Sequence, residues 1–140
     1  MGMERIYWSG KFSVGNDDID NDHKKLISII NDLIDMVELG NDREKFASIL
    51  SDLTDYFMQH FKKEENYMLE MNYPYLKQHK QIHNEFKYKV AMYNTDLLGA
   101  TPPDPHEIIL YLKKWWADHI LHVDANYEKF RKKNNVDASY

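Results

Sequence analysis

Three- and four-residue hydrophobic periodicity dominates this 140-residue chain, in four long stretches separated by short breaks. The five glycines and four prolines fall mainly in those breaks: Gly10 to Gly15, Gly40, Tyr73-Pro74, and Gly99 to Pro105. A stripe repeating every three to four residues marks one apolar helix face, and such a face must be buried against another element. Strand-like alternation, internal repeats and low-complexity segments are absent. The pattern therefore predicts an all-α fold, with helices near 20–39, 42–71, 75–98 and 105–131.

Local signals place the helix ends. The first stretch carries His23, Leu26, Ile27, Ile30, Leu33, Ile34 and Val37, and Gly40 is suited to stop it. The second opens on Asn41-Asp42-Arg43-Glu44, a candidate capping box, and carries Phe46, Leu50, Leu53, Phe57, His60, Glu64 and Tyr67 before Pro74. The third reads Leu76, His79, His83, Phe86, Val90, Tyr93 and Leu97. The fourth has Asp104 as N-cap and Pro105 at the first helical position. Its stripe is Ile108, Leu112, Trp115, Trp116, His119, Val123, Tyr127 and Phe130. Short connections make sequential helices pack antiparallel, which predicts an up-down-up-down four-helix bundle. Residues 1–19, with Trp8, Phe12 and Val14, read as an extended N-terminal arm; 20–131 form the bundle and 132–140 a tail, all within a single domain spanning 1–140.

Composition narrows the function classes. With 18 Lys+Arg against 23 Asp+Glu and no basic block, the chain is not expected to bind nucleic acid. Its longest apolar run, Ile108 to Leu112, is far below the ~18 residues of a membrane span, so no membrane insertion is expected. The start leads into no apolar segment of a secretory signal, and the chain has no cysteine, which excludes disulfides and thiolate metal sites. The expected location is cytoplasmic.

Polar residues interrupt the apolar stripes. His23, His60, Glu64, His79, His83 and His119 all stand where the pattern assigns core. Burying a polar group without a partner costs about 1–3 kcal/mol, and an ionised one costs more. Six such residues need a shared compensator, and a metal site supplies one. His60-Phe61-Lys62-Lys63-Glu64 and His79-Lys80-Gln81-Ile82-His83 are i, i+4 pairs, which put two side chains one turn apart on one face. In an antiparallel bundle His60, late on the second helix, lies beside His79, early on the third. His23 is early on the first helix and His119 late on the fourth, so all four groups converge at one end.

In order and spacing, His23, His60-xxx-Glu64, His79-xxx-His83 and His119-xxxx-Asp124 resemble the pattern of the hemerythrin family across most of the chain. Ile19-Asp20, His60-Phe61, Glu64-Glu65, Met68, Tyr73-Pro74, Phe86, Trp115 and His119-Ile120 agree as well, and the likeness is to its single-domain bacteriohemerythrins. The architecture is one for which myohemerythrin itself is an example. The resemblance implies a non-haem di-iron centre in which His79, His83 and His119 hold one iron and His23 and His60 the other. Glu64 and Asp124 would bridge the two ions together with an oxo or hydroxo group. That count leaves one iron five-coordinate, with one open position for dioxygen as the reversible ligand. Leu26, Phe61, Trp115 and Ile120 match the apolar residues around that position. The implied function is an oxygen carrier, store or sensor and no enzyme, and the recipient it implies is an oxygen-consuming enzyme. The alternative is a di-iron enzyme that reduces peroxide, nitric oxide or oxygen.

Residue chemistry alone leaves several points open. Imidazole suits Zn, Cu, Fe and Ni alike. The chain has no Glu-x-x-His pair of the ferritin-like oxygen-activating proteins. Five residues of ideal helix turn 500°, leaving Asp124 about 140° from His119, so His122 at i+3 sits better on that face. A local π-type distortion would bring Asp124 inward instead. His106 falls outside every stripe and is expected on the surface. Tyr127, Met36, Met58, Met68 and Met92 read as packing residues. Asp22 and Asn16 depart from the family pattern, which often has Gln and an apolar residue there.

Overall fold

The computed structural model describes residues 3–40 and 42–134. It consists of a short 3-10 turn, Gly10–Phe12, followed by α1 (Asp17–Gly40), α2 (Arg43–Glu70), α3 (Leu76–Leu97), α4 (Pro105–His119), a π-helical segment Ile120–Asp124 and α5 (Ala125–Lys133). The last three run on without a break, so they form the fourth long helix. No strand occurs among the described residues, and no helix is long and apolar enough to cross a membrane.

Side-chain pairs show the antiparallel order. Early α1 meets late α2, as in Lys63 with Asp18 and Tyr56 with Asp22, and Glu65 of α2 meets His83 of α3 while Thr54 meets Asn94. The α3–α4 seam pairs Phe86 with Trp115 and Tyr93 with Tyr111. One end of the bundle is filled by ordinary core, including Ile30, Leu33, Ile34, Phe46, Leu50, Leu53, Leu97, Ile108 and Leu112, all at or near zero exposure. The stripes that the sequence predicts are the ones that face inward.

The ends differ from expectation by a few residues, each for a local reason. α1 begins at Asp17 rather than 20 because the Asn16 side chain accepts from the Ile19 backbone N–H at 3.1 Å, so the arm stops at residue 16. Asp42 caps α2, accepting from Glu44 and Lys45 N–H groups, in place of a box with Glu44 as third residue; Asn41 lies outside the described residues. Asn72, directly after the α2 C-cap Met71, turns the chain out of α2 with φ of 56°, a left-handed conformation that its side chain tolerates. α5 extends to Lys133, so the tail starts later than 132, and its residues 135–140 lie outside the described residues.

The N-terminal arm packs on the bundle as expected. Phe12 and Val14 are buried, and Asn31 exchanges two hydrogen bonds with the Ile6 backbone at 2.9 and 3.0 Å. Gly15 has φ of 74°, and a Cβ there would fall 2.5 Å from the Glu128 carboxylate, so only glycine fits beneath α5. Of the four methionines read as packing, Met68 is buried and Met36 half-buried, but Met58 and Met92 are exposed at the edge of their helices.

Candidate metal centre

Five of the seven histidines are buried, and all five converge on one cluster near the α2–α3 turn. Glu64 and Asp124 join them and are completely inaccessible to solvent. The donor atoms fall into two overlapping groups, within each of which all lie no more than 4.8 Å apart. His79, His83 and His119 form one with Glu64 and Asp124; His23 and His60 form the other with the same two carboxylates.

Each carboxylate reaches both groups. Glu64 Oε1 stands 3.2 Å from His79 Nε2 and 3.0 Å from His83 Nε2, while its Oε2 stands 3.4 and 3.5 Å from the Nε2 atoms of His60 and His23. Asp124 Oδ1 is 2.9 Å from both His79 and His119, and Oδ2 is 3.3 Å from His23. The ring nitrogens also face one another, His23 to His60 at 3.0 Å and His83 to His119 at 3.1 Å.

The fourth helix delivers Asp124 through its π segment. Residues 120–124 widen the helix by one residue per turn, which removes the 140° mismatch of an ideal α-helix. His122 is exposed and does not join the cluster, and neither does the exposed His106, which pairs with Asp104 at the α4 N-terminus. Asp124, and not His122, is thus the residue that the π segment brings beside His119.

The donor set fits metal ions. Glu64 Oε1 and both Asp124 oxygens accept no hydrogen bond of acceptable geometry, although ring nitrogens lie 2.9–3.3 Å away. Such desolvated anions are costly unless cations or donors are aimed at them. Five imidazole nitrogens and four carboxylate oxygens converging on one dry volume suit two divalent ions.

Without metal, protons take that role. Burial alone pushes the His23 and His79 imidazoles down, but Asp124 and Glu64 beside them win and raise them to about 9 and about 10. Burial likewise opposes ionisation of Glu64 and Asp124, yet the surrounding histidines hold both carboxyls well below their ordinary values.

Around this cluster stand partners that the stripes did not reveal. His60 Nδ1 donates to Asp22 Oδ2 at 3.0 Å, and His83 Nδ1 donates to Glu65 Oε2 at 2.8 Å. Such bonds fix the ring orientation and leave Nε2 free to bind a metal. Lys63 and Tyr56 also hold Asp22, and its carboxyl, despite partial burial, is lowered to about 2 by His60 and Lys63. Tyr127 Oη donates to Glu64 Oε2 at 3.1 Å. The signals in the sequence were adjacency, Asp22 to His23 and Glu65 to Glu64, together with the departure from the family pattern at Asp22 and the match at Glu64-Glu65.

The apolar residues lie on the bundle side of the cluster. The Phe61 ring stacks on His83 with centroids 3.9 Å apart, and Trp115 stacks on His119 at 4.2 Å, each pair within 12° of parallel. Leu26 and Ile120 are buried in the same core cluster, and Trp115 is half-buried against it.

The profile of the hemerythrin HHE cation-binding domain matches residues 14–130. The chain belongs to the hemerythrin family. This family is known for oxygen binding at a di-iron site, and here the buried His/Glu/Asp cluster is one that could hold metal. Bacteriohemerythrin of Pseudomonas aeruginosa is 30% identical over 125 residues, covering 89% of this chain and 80% of its own. The Clostridium acetobutylicum bacteriohemerythrin is 32% identical over 124 residues, covering 86% and 96%. A crystal structure of wild-type hemerythrin superposes with a TM-score of 0.82 at 24% identity, covering 89% of this chain and 95% of that one, and shares the fold.

Proposed function

We propose that the chain binds dioxygen reversibly at two iron ions, as a carrier, store or sensor rather than an enzyme. The observation that carries this reading is the split of each buried carboxylate between two histidine groups of unequal size. His79, His83 and His119 would hold one ion, His23 and His60 the other, and Glu64 and Asp124 would bridge them with an oxo or hydroxo group. Ferrous ions held by these residues would supply the electrons for reversible dioxygen binding.

The protein's own residues do the rest. Asp22 and Glu65 hold His60 and His83 in the tautomer that presents Nε2 inward. Tyr127 anchors Glu64 against rotation. Leu26, Phe61, Trp115 and Ile120, of which Phe61 and Trp115 stack on His83 and His119, would exclude water from the oxygen position, which favours release of oxygen unchanged. Tyr127 donates to Glu64, and burial beside Glu64 raises its hydroxyl well above the ordinary value, so it stays protonated. That supports binding over catalysis. Released oxygen would pass to an oxygen-consuming enzyme.

Metal analysis combined with optical spectra under nitrogen and air tests the reading. Two irons per chain and a charge-transfer band that appears in air and disappears under nitrogen are expected. A single metal, or a band that does not reverse, overturns it.

A further inference from the structure

A cavity of about 550 Å³ opens between the start of α3 and the end of α5, and it shares His79 with the metal cluster. Its volume lies in the range of small-molecule sites, roughly 300–1,000 Å³. Ile82 and Val123 form apolar walls, and Tyr73 and Phe130 present aromatic faces with ring centroids 5.4 Å apart at 70°. The two rings pack edge to face on each other and form one aromatic wall, against which a flat ring lies better than a flexible chain.

The rim is cationic. Lys129 and Lys133, one turn apart on α5, project at the cavity, and among the described residues neither forms an ion pair with a carboxylate. The neighbouring Glu128 turns instead to Arg131 and the underside of Gly15. Across the opening, α3 begins without a side-chain cap and without an acidic residue in its first turn, and Gln78 of that turn lines the cavity. A 22-residue helix therefore presents the positive end of its dipole to the same opening. Two ammonium groups and a helix N-terminus match a phosphate, which carries about −1.5 to −2 at neutral pH.

We propose that this cavity binds a small planar aromatic compound with a phosphate tail, the chemistry of a flavin mononucleotide, with the ring against Phe130, Tyr73 and Ile82 and the phosphate at Lys129 and Lys133. The site is separate from the oxygen position, but its occupant touches the His79 ring and so lies beside the cluster. Ligand binding and metal binding are coupled through that ring.

Calorimetric titration of the full chain tests the assignment with three probes. Flavin mononucleotide is expected to bind with a Kd of roughly 10–100 μM. Riboflavin, which lacks the phosphate, and dodecyl phosphate, which lacks the ring, should each bind at least about tenfold more weakly. The double variant Lys129→Gln, Lys133→Gln should erase the gap between flavin mononucleotide and riboflavin. Ile82→Trp should fill the cavity and weaken both flavins while the oxygen-dependent spectrum persists. Equal affinity for flavin mononucleotide and riboflavin overturns the phosphate assignment, and equal affinity for dodecyl phosphate overturns the ring assignment. Absence of binding at about 1 mM, or full binding by Ile82→Trp, removes the site altogether.

Discussion

Tyr127 and Glu64, 63 positions apart, are joined by a hydrogen bond of 3.1 Å inside a fully buried site. The bond links the helix that follows the π segment to the carboxylate that reaches both histidine groups. Tyr127→Phe keeps the ring but leaves Glu64 one donor short in a dry environment. A hydrogen bond to a charged group contributes about 1.5–3 kcal/mol. Denaturant unfolding of the metal-free variant should show a loss of that size; a loss below about 0.5 kcal/mol would mean that the bond is not made in solution.

The two histidine groups should fail differently. His60→Ala removes one of only two histidines from the smaller group, and that ion should be lost on desalting, leaving about one metal per chain. His83→Ala removes one of three and should retain metal better. The check is metal content after desalting against a weak chelator. Equal retention by the two variants would show that the division into groups has no bearing on binding.

Leu26→Ala leaves every ligand in place and opens the apolar side of the site. The large-to-small change costs about 2–5 kcal/mol, which the core around Ile27 and Ile30 should withstand at low temperature. Oxygen uptake should persist, while autoxidation accelerates because water entering the pocket can donate a proton to the reduced ligand. The quantity to follow is the decay rate of the oxygenated absorption band at matched iron content. Decay no faster than in the parent protein would put the oxygen pocket elsewhere.

Stability of the metal-free protein should fall as pH rises from about 6.5 to about 10. His23 and His79 bind protons more tightly folded, at about 9 and about 10, than unfolded at 6.5. In that window the folded state holds more protons than the unfolded one, so raising pH favours unfolding. The stabilisation is complete below pH 6.5 and is lost as pH passes the folded values. Metal binding requires neutral imidazoles and so gains with pH over the same range. Thermal unfolding between pH 6 and 10 should therefore show opposite trends without and with metal. A metal-free melting temperature that climbs with pH would contradict the charge state inferred for the cluster.

The fold and the cluster were legible for different reasons. Helical periodicity gave the four long helices, and polar residues within it marked His23, His60, Glu64, His79, His83 and His119 because burial of such groups demands a reason. Tyr127 was legible only as core, since its hydroxyl partner comes from a helix far away in sequence. Asp22 and Glu65 sit on the flanks of inward stripes, where a carboxylate ordinarily faces water; only the packed neighbour shows that each meets a histidine. The π segment left one trace, the angular conflict at Asp124, because no glycine or proline marks the stretch from His106 onward.

That conflict leads to a test of what the π segment does. If it only adjusts register, removing one residue between His119 and Asp124 should be tolerated. Deleting exposed His122 would place the aspartate at i+4, where four residues of α-helix turn about 400° and leave it about 40° from His119. That is the spacing of the His60–Glu64 and His79–His83 pairs. The face that carries Tyr127 would stay inward, because a five-residue π turn is replaced by a four-residue α turn. The deletion variant is expected to keep its helical circular dichroism and close to two metals per chain, whereas Asp124→Ala keeps the fold and loses metal. A deletion variant that folds but holds no metal would show that the wider turn itself, and not merely the inward placement of the carboxylate, is what the site requires.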